Sequence, residues 1–280
     1  MSYANYHSRR VPSFISYMAN LLRYRHLCWN LVGSDLRSRF RRSYLGILWA
    51  IIQPLGYSLI IAWAWGTIFG AANYWSFAVY VYSGMLVWEY FQNCVNGSLD
   101  GLMNAVGYLR QARIPLFVFQ LRVPLTGLVT LFFGLIGLFL MMGALSLFGL
   151  FSFPAPGLHL LLLPAFFGVL VLFMTPVAMI FSVLGAQLRD LKHIMSLVLQ
   201  VLFFLSPVMM TRNMLDTPQL EILKTINPMV PILDMLRDPL LHGQYWSQQA
   251  GLTVSLWGAG LWIAAAIVAG RAGRKVVFAI

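Results

Sequence analysis

Four arginines stand within six residues: Arg37, Arg39, Arg41 and Arg42. A guanidinium fork matches two phosphate oxygens at once. Such a cluster can anchor anionic lipid headgroups, or receive the phosphates of a pyrophosphate-linked lipid substrate. Glu89 is the one acidic residue inside an apolar stretch long enough to cross a bilayer. A carboxylate there is costly and faces a bundle interior or an aqueous cavity. It would serve as a polar contact along a substrate path, as a partner for a cation, or as a helix–helix hydrogen bond. Aromatic residues crowd the same region: Trp63, Trp65, Tyr74, Trp75, Tyr80, Tyr82, Trp88, Tyr90 and Phe91. Tyr74 and Trp75 suit an interfacial belt. Flat rings stack on the apolar faces of sugars, so Trp63, Tyr82, Trp88 and Tyr90 join Glu89 as candidate channel residues. Lipid anchoring and core packing explain each ring singly as well.

Other chemistry is missing from the sequence. No GxxxxGK[ST] phosphate loop is present, so the chain cannot cradle ATP in that manner. No HExxH, GxSxG or DDxxD-type cluster occurs either, and no catalytic residue is assigned. The five histidines, His7, His26, His159, His193 and His242, are scattered and give no converging metal-ligand set. The acids Asp216, Glu221, Asp234 and Asp238 are the only candidates for metal-assisted phosphate chemistry, and their setting is apolar and broken by prolines. Cys28 and Cys94 both fall on or near the expected cytoplasmic side, where a disulfide is not expected.

The elements that position these residues follow from composition. The chain is 60% hydrophobic and 10% charged, whereas soluble domains carry about 25% charged residues. It divides into stretches of roughly 20 apolar residues. Six spans are predicted: 47–70, 77–96, 123–148, 158–186, 194–210 and 250–270, the fifth being the shortest. The first 30 residues hold Arg9, Arg10, Arg23 and Arg25 and no apolar core, so no cleavable signal peptide is expected. Phe14, Tyr17, Met18, Leu21 and Leu22 recur at helical spacing and predict an amphipathic surface helix. Leu99, Leu102, Met103 and Val106 predict another between the second and third spans. With both termini cytoplasmic, this layout puts sixteen of the basic residues inside and leaves Arg212, Lys224 and Arg237 outside. That asymmetry supports the orientation and accounts for the net charge of +11 better than nucleic-acid binding does.

Three ordered segments carry a resemblance: SDLRSRFRRSYLGILWAIIQPL (34–55), RDLKHIMSLVLQVLFFLSPVMM (189–210) and NPMVPILDMLRDPLLHG (227–243). Together they resemble permease subunits of ABC-2-type transporters, of the group that exports O-antigen, capsule or teichoic acid. The resemblance implies an all-α integral membrane protein with six transmembrane helices, an amphipathic N-terminal interfacial helix, a cytoplasmic coupling helix and short outer re-entrant helices. The corresponding division is a cytoplasmic segment 1–43, a transmembrane domain 44–273 and a tail 274–280. It further implies a cytoplasmic-membrane homodimer served by two ATP-binding cassette subunits, which bind the ATP and Mg; this chain itself would need no cofactor. Leu99, Asp100, Leu102, Met103, Tyr108, Arg110 and Arg113 would couple to the ATPase, with Arg189 and Asp190 as a second contact. Arg37, Arg39, Arg41 and Arg42 would admit the phosphates of a lipid-linked polysaccharide. Two rival readings stand beside it: an ABC-2 permease for a drug or small lipid, and an integral-membrane glycosyl or prenyl transferase.

Overall fold

The computed structural model describes residues 24–41, 43–69, 73–105, 107–108, 114, 116–188, 190–210 and 226–272. Outside them lie the surface helix expected from Phe14 to Leu22, and the basic residues Arg9, Arg10, Arg23, Arg42, Arg110, Arg113, Arg189, Arg212, Lys224, Arg274 and Lys275. Val106, Asp216, Glu221 and the tail 274–280 also lie outside the described residues.

Among the described residues every regular element is helical. The α-helices are α1 (Arg25–Phe40), α2 (Trp49–Phe69), α3 (Tyr74–Leu99), α4 (Leu116–Leu147), α5 (Leu162–Gln187), α6 (Leu191–Leu205), α7 (Met229–Arg237) and α8 (Gln248–Ala272). In lipid, backbone polar groups must be satisfied within the segment, and an α-helix does so. Four segments are long and apolar enough to cross a membrane: Gly46–Thr67, Leu116–Leu147, Leu158–Gln187 and Gln248–Arg271. These correspond to the first, third, fourth and sixth predicted spans.

The second and fifth stretches are also helical but differ in kind. α3 carries Tyr, Ser, Glu and Asn along its 26 residues. It packs against α2, α4, α5, α6 and α7, so its polar side chains meet protein rather than lipid. α6 has 15 residues, about 22 Å of helix, against a hydrocarbon core of about 30 Å. It touches α3 and α5 only weakly, and Ile194, Leu197, Val201 and Phe204 are left exposed.

Two details show how closely the helices are fitted. α5 contains Pro176, whose missing N–H frees the carbonyl of Leu172. The indole Nε1 of Trp262 on α8 donates to that oxygen at 3.1 Å. Trp262→Phe strands the carbonyl and should lower the thermal unfolding midpoint in detergent, at a cost of about 1–3 kcal/mol. At the far end of α5, Gly185 lets the last turn of α3 approach. A Cβ there would collide with the backbone of Leu99.

α7 lies in the segment expected to hold short re-entrant helices. It is buried along nearly its whole length, among α3, α5 and α8. The neighbouring helices give its short, proline-flanked backbone the shelter that a broken element requires at membrane depth. Asn227 ties it to α6: Nδ2 donates to Leu205 O (3.1 Å) and Ser206 Oγ (3.2 Å), while Oδ1 accepts from Met229 N (2.9 Å).

Candidate functional site

At one end of the bundle the C-terminal ends of α1, α3, α5 and α8 meet the first turns of α4 and α6. Arg122 on α4 is buried and pairs with Asp35 of α1 at 3.4 Å, with its guanidinium 5.8 Å from the Phe119 ring. Further along α1, Arg39 Nη2 donates to Asn93 Oδ1 of α3 at 3.2 Å, while Arg37 and Arg41 face solvent. Of the four clustered arginines, three are therefore placed at this end and one is docked on α3; Arg42 lies outside the described residues.

Asp35 gives this contact a pH dependence. Burial holds its carboxyl above the usual carboxylate range, and Arg122 and Thr126 pull it partway back down. A raised value means the folded state holds the proton more tightly than the unfolded chain. The contribution of Asp35 is thus most favourable in acid and is lost as pH rises through the folded value. Relative to Asp35→Asn, the wild-type unfolding midpoint should fall as pH increases from about 3.8 upward. Thermal melts of the two proteins across that range check the sign.

The residues expected to couple to an ATPase separate into two sets. Among the described residues no single helix runs from Leu99 to Tyr108, while Val106 and 109–113 lie outside them. α3 runs on to Leu99, the chain turns at Asp100–Gly101–Leu102, and a short 3-10 turn follows at Met103–Ala105. The Asp-Gly pair breaks the helical path that the apolar spacing suggested. As a result Leu99 and Leu102 pack inward, Leu102 against Val183 of α5 at 1% exposure. Met103 and Tyr108 point out, at 50% and 43%. The two predicted contact regions do come together: Lys192 Nζ bonds Asp100 Oδ2 at 2.6 Å, and Asp190 lies just before α6. Both charges are about half exposed, so the pair aligns the two loops more than it stabilises them.

The candidate channel residues divide in the same way. Tyr82, Trp88 and Tyr90 are buried in the core of this one chain. The Tyr82 hydroxyl reaches the carbonyls of Ile51 and Gly134, each at 3.3 Å, and Trp88 packs on Phe91 and Phe203. Trp63, on α2, is 68% exposed. Glu89 is half-buried one turn before Asn93, close enough to Arg39 to feel its charge, and its Oε1 has no hydrogen-bond partner among the described residues.

The opposite end contains a feature that charge counting alone missed. Arg237, the last residue of α7, is 1% exposed and holds five acceptors at once. Nε donates to Ser83 Oγ (3.3 Å). Nη1 donates to Tyr80 Oη (2.9 Å) and Pro207 O (2.8 Å), and Nη2 to Tyr80 O (3.2 Å) and Val208 O (2.9 Å). The Tyr80 ring lies 3.7 Å from the guanidinium carbon, and its hydroxyl passes a hydrogen bond on to Met210 O at 2.8 Å. Gly84 opens the space for this side chain. A Cβ there would press on Arg237 Nη2 and stand 2.9 Å from Val208 O. Beside it, Asp238 is buried and meets His242 Nδ1 at 3.3 Å. One guanidinium thus clamps α7, α3 and the turn after α6 together.

The family model for ABC-2 type transporters matches residues 26–241, which takes in both ends just described. The chain is similar to an O-antigen export system permease protein of Myxococcus xanthus, 27% identical over 220 residues, or 78% of this chain and 82% of that protein. It is similar to an O-antigen export system permease protein of Klebsiella pneumoniae at 24% over 217 residues, covering 76% and 79%. A polysialic acid transport protein of Escherichia coli is 23% identical over 211 residues, covering 75% and 79%.

Proposed function

Since the chain belongs to the ABC-2 type transporter family, we propose that it is the membrane-embedded half of an ATP-driven exporter that carries a lipid-linked polysaccharide, of O-antigen type, across the cytoplasmic membrane. Two copies form the passage and two separate ATP-binding cassette subunits supply the energy. The relatives named above export O-antigen or transport polysialic acid, and the present sequence contains no phosphate loop of its own.

The observation that carries this reading is the meeting of two cytoplasmic-type connections at Asp100 and Lys192, with Met103 exposed three residues on and Tyr108 exposed further along, against Phe119. That end is rich in arginine, so the positive-inside rule turns it toward the cytoplasm. In this reading α2, α3, α4, α5, α6 and α8 all cross the membrane, with α7 folding back on the outer side. Phosphates of the lipid carrier meet Arg37, Arg39, Arg41 and Arg42 at the inner leaflet. Glu89, near Arg39 and with no hydrogen-bond partner for its Oε1 among the described residues, offers the next polar contact. The glycan then passes between the two copies, along faces such as that of Trp63, rather than through the core that holds Tyr82, Trp88 and Tyr90. A cycle driven from outside the chain requires that the partner bind its two states differently.

Affinity purification of the tagged chain from its native membrane tests the proposal. An ATP-binding subunit should come down in equal amount, and a deletion strain should accumulate lipid-linked polymer inside the cell. A chain that purifies without any such subunit, or a deletion that leaves the polymer normally exported, sinks it. Accumulation of a small lipid or drug instead would favour an ABC-2 permease for that cargo.

A further inference from the structure

The N-terminal half of α1 lies across α4, α5 and α8 and leaves a crevice of about 280 Å³ between them. We infer that this crevice binds one acyl chain of an anionic phospholipid, with the lipid phosphate on Arg25. Leu121 and Leu125 of α4, Leu172 of α5 and Trp262 of α8 form its apolar wall, and Arg25 and Trp29 of α1 form its rim. The polar groups in the wall are already engaged. Thr175 Oγ1 donates to Val171 O at 2.6 Å, and the Trp262 indole donates to Leu172 O. Nothing is left there to recognise a sugar or a peptide, whereas a hydrocarbon chain needs no partner.

The height of the crevice fits the same ligand. α1 is a mostly polar helix that buries only Cys28, Leu31 and Val32, and it is laid against segments able to cross a membrane. Its inner edge therefore marks the level just below the headgroups. Trp29, 58% exposed, stands where an indole is favoured, at the interface.

Charge selects the headgroup. Among the described residues lining the crevice, Arg25 alone is charged, and it is exposed. It stands fourteen residues before Arg39, about 21 Å along the helix, so it is no part of the arginine cluster. A single guanidinium suits the one phosphate of a glycerophospholipid. A pyrophosphate would draw a second cation, and none is found among the described residues that line the crevice. The bound chain would wedge α1 against α5 and α8 and so hold the Asp35–Arg122 contact in place.

The full chain is stripped of lipid in detergent, re-exposed to phosphatidylglycerol or phosphatidylcholine, and the lipid retained per chain is counted by native mass spectrometry. Wild type should keep one phosphatidylglycerol in preference to phosphatidylcholine. Arg25→Gln should reduce that preference about fivefold, the ~1 kcal/mol of one basic residue at a membrane surface. Leu172→Trp, placed at the exposed lip, should fill the crevice and remove the held lipid whatever its headgroup. A second readout is quenching by brominated acyl chains, taken as the difference between wild type and Trp29→Phe; it should be present, and Leu172→Trp should erase it. An unchanged preference in Arg25→Gln, full retention in Leu172→Trp, or no quenching at Trp29 overturns the inference. So does displacement of phosphatidylglycerol by an equal concentration of a polyprenyl pyrophosphate, or recovery of lipid binding only after residues 1–23 are removed.

Discussion

Arg237→Met should abolish export and lower stability by at least about 3 kcal/mol. Methionine keeps the unbranched stem of arginine as far as Nε and loses the buried guanidinium itself. What it removes is the guanidinium that donates to the carbonyls of Pro207 and Val208; the Tyr80 carbonyl keeps the Ser83 hydroxyl, which donates to it at 2.7 Å. Stranding each buried acceptor costs about 1–3 kcal/mol. Arg237→Lys should rescue little, because one ammonium cannot reach acceptors arranged around a planar fork. Gly84→Ala presses on the same guanidinium from α3, so the double variant Gly84→Ala/Arg237→Met should lose less than the sum of the two singles. Thermal unfolding in detergent and export of surface polymer are the readouts. A midpoint within about 1 kcal/mol of wild type, or strict additivity of the pair, would remove the clamp from consideration.

Arg237 also shows where sequence is hard to read in a membrane protein. In a tally of charge it counts as one of three outer cations. Its setting, in the apolar run INPMVPILDMLRDPLLHG, carried the other signal, since a cation inside such a run is rarely free of a structural or functional task. The helices themselves were legible. Apolar length placed α2, α5 and α8 within about four residues at each end, because in lipid a long apolar run has few other ways to satisfy its backbone, while α4 begins at Leu116, seven residues before the predicted start. Burial was not. Tyr82, Trp88 and Tyr90 looked like channel residues, yet they fill the interior. The reason is physical: lipid tails are as apolar as a protein core, so the contrast that marks a buried face in a soluble helix is nearly absent. The end of α3 illustrates the converse. The spacing of Leu99, Leu102 and Met103 was helical, but Asp100–Gly101 turned the chain and divided them between core and surface.

That division sharpens the expected result at the coupling surface. Met103→Asp/Tyr108→Asp should eliminate export while leaving the protein folded, because both side chains are largely exposed and the ring contact of Tyr108 with Phe119 is the one such contact among the described residues that the pair gives up. If they fill an apolar groove on the ATPase, two buried carboxylates there cost about 2 kcal/mol or more, which weakens the partner's binding about thirtyfold or more. Leu102→Asp makes the opposite kind of failure. Its side chain is packed against Val183, so the variant should lose stability and membrane abundance, with export falling only in proportion. Lys192→Glu sets a like charge against Asp100 but acts between exposed groups, and should change the melting midpoint by less than about 1 kcal/mol. Partner affinity, protein level and exported polymer, measured for all of these variants, separate docking from folding. Should the double aspartate variant bind its ATPase as tightly as wild type and still export, the exposed turn would have no part in coupling. The contact would then have to be sought elsewhere at the arginine-rich end, around Asp190 and the first turn of α6.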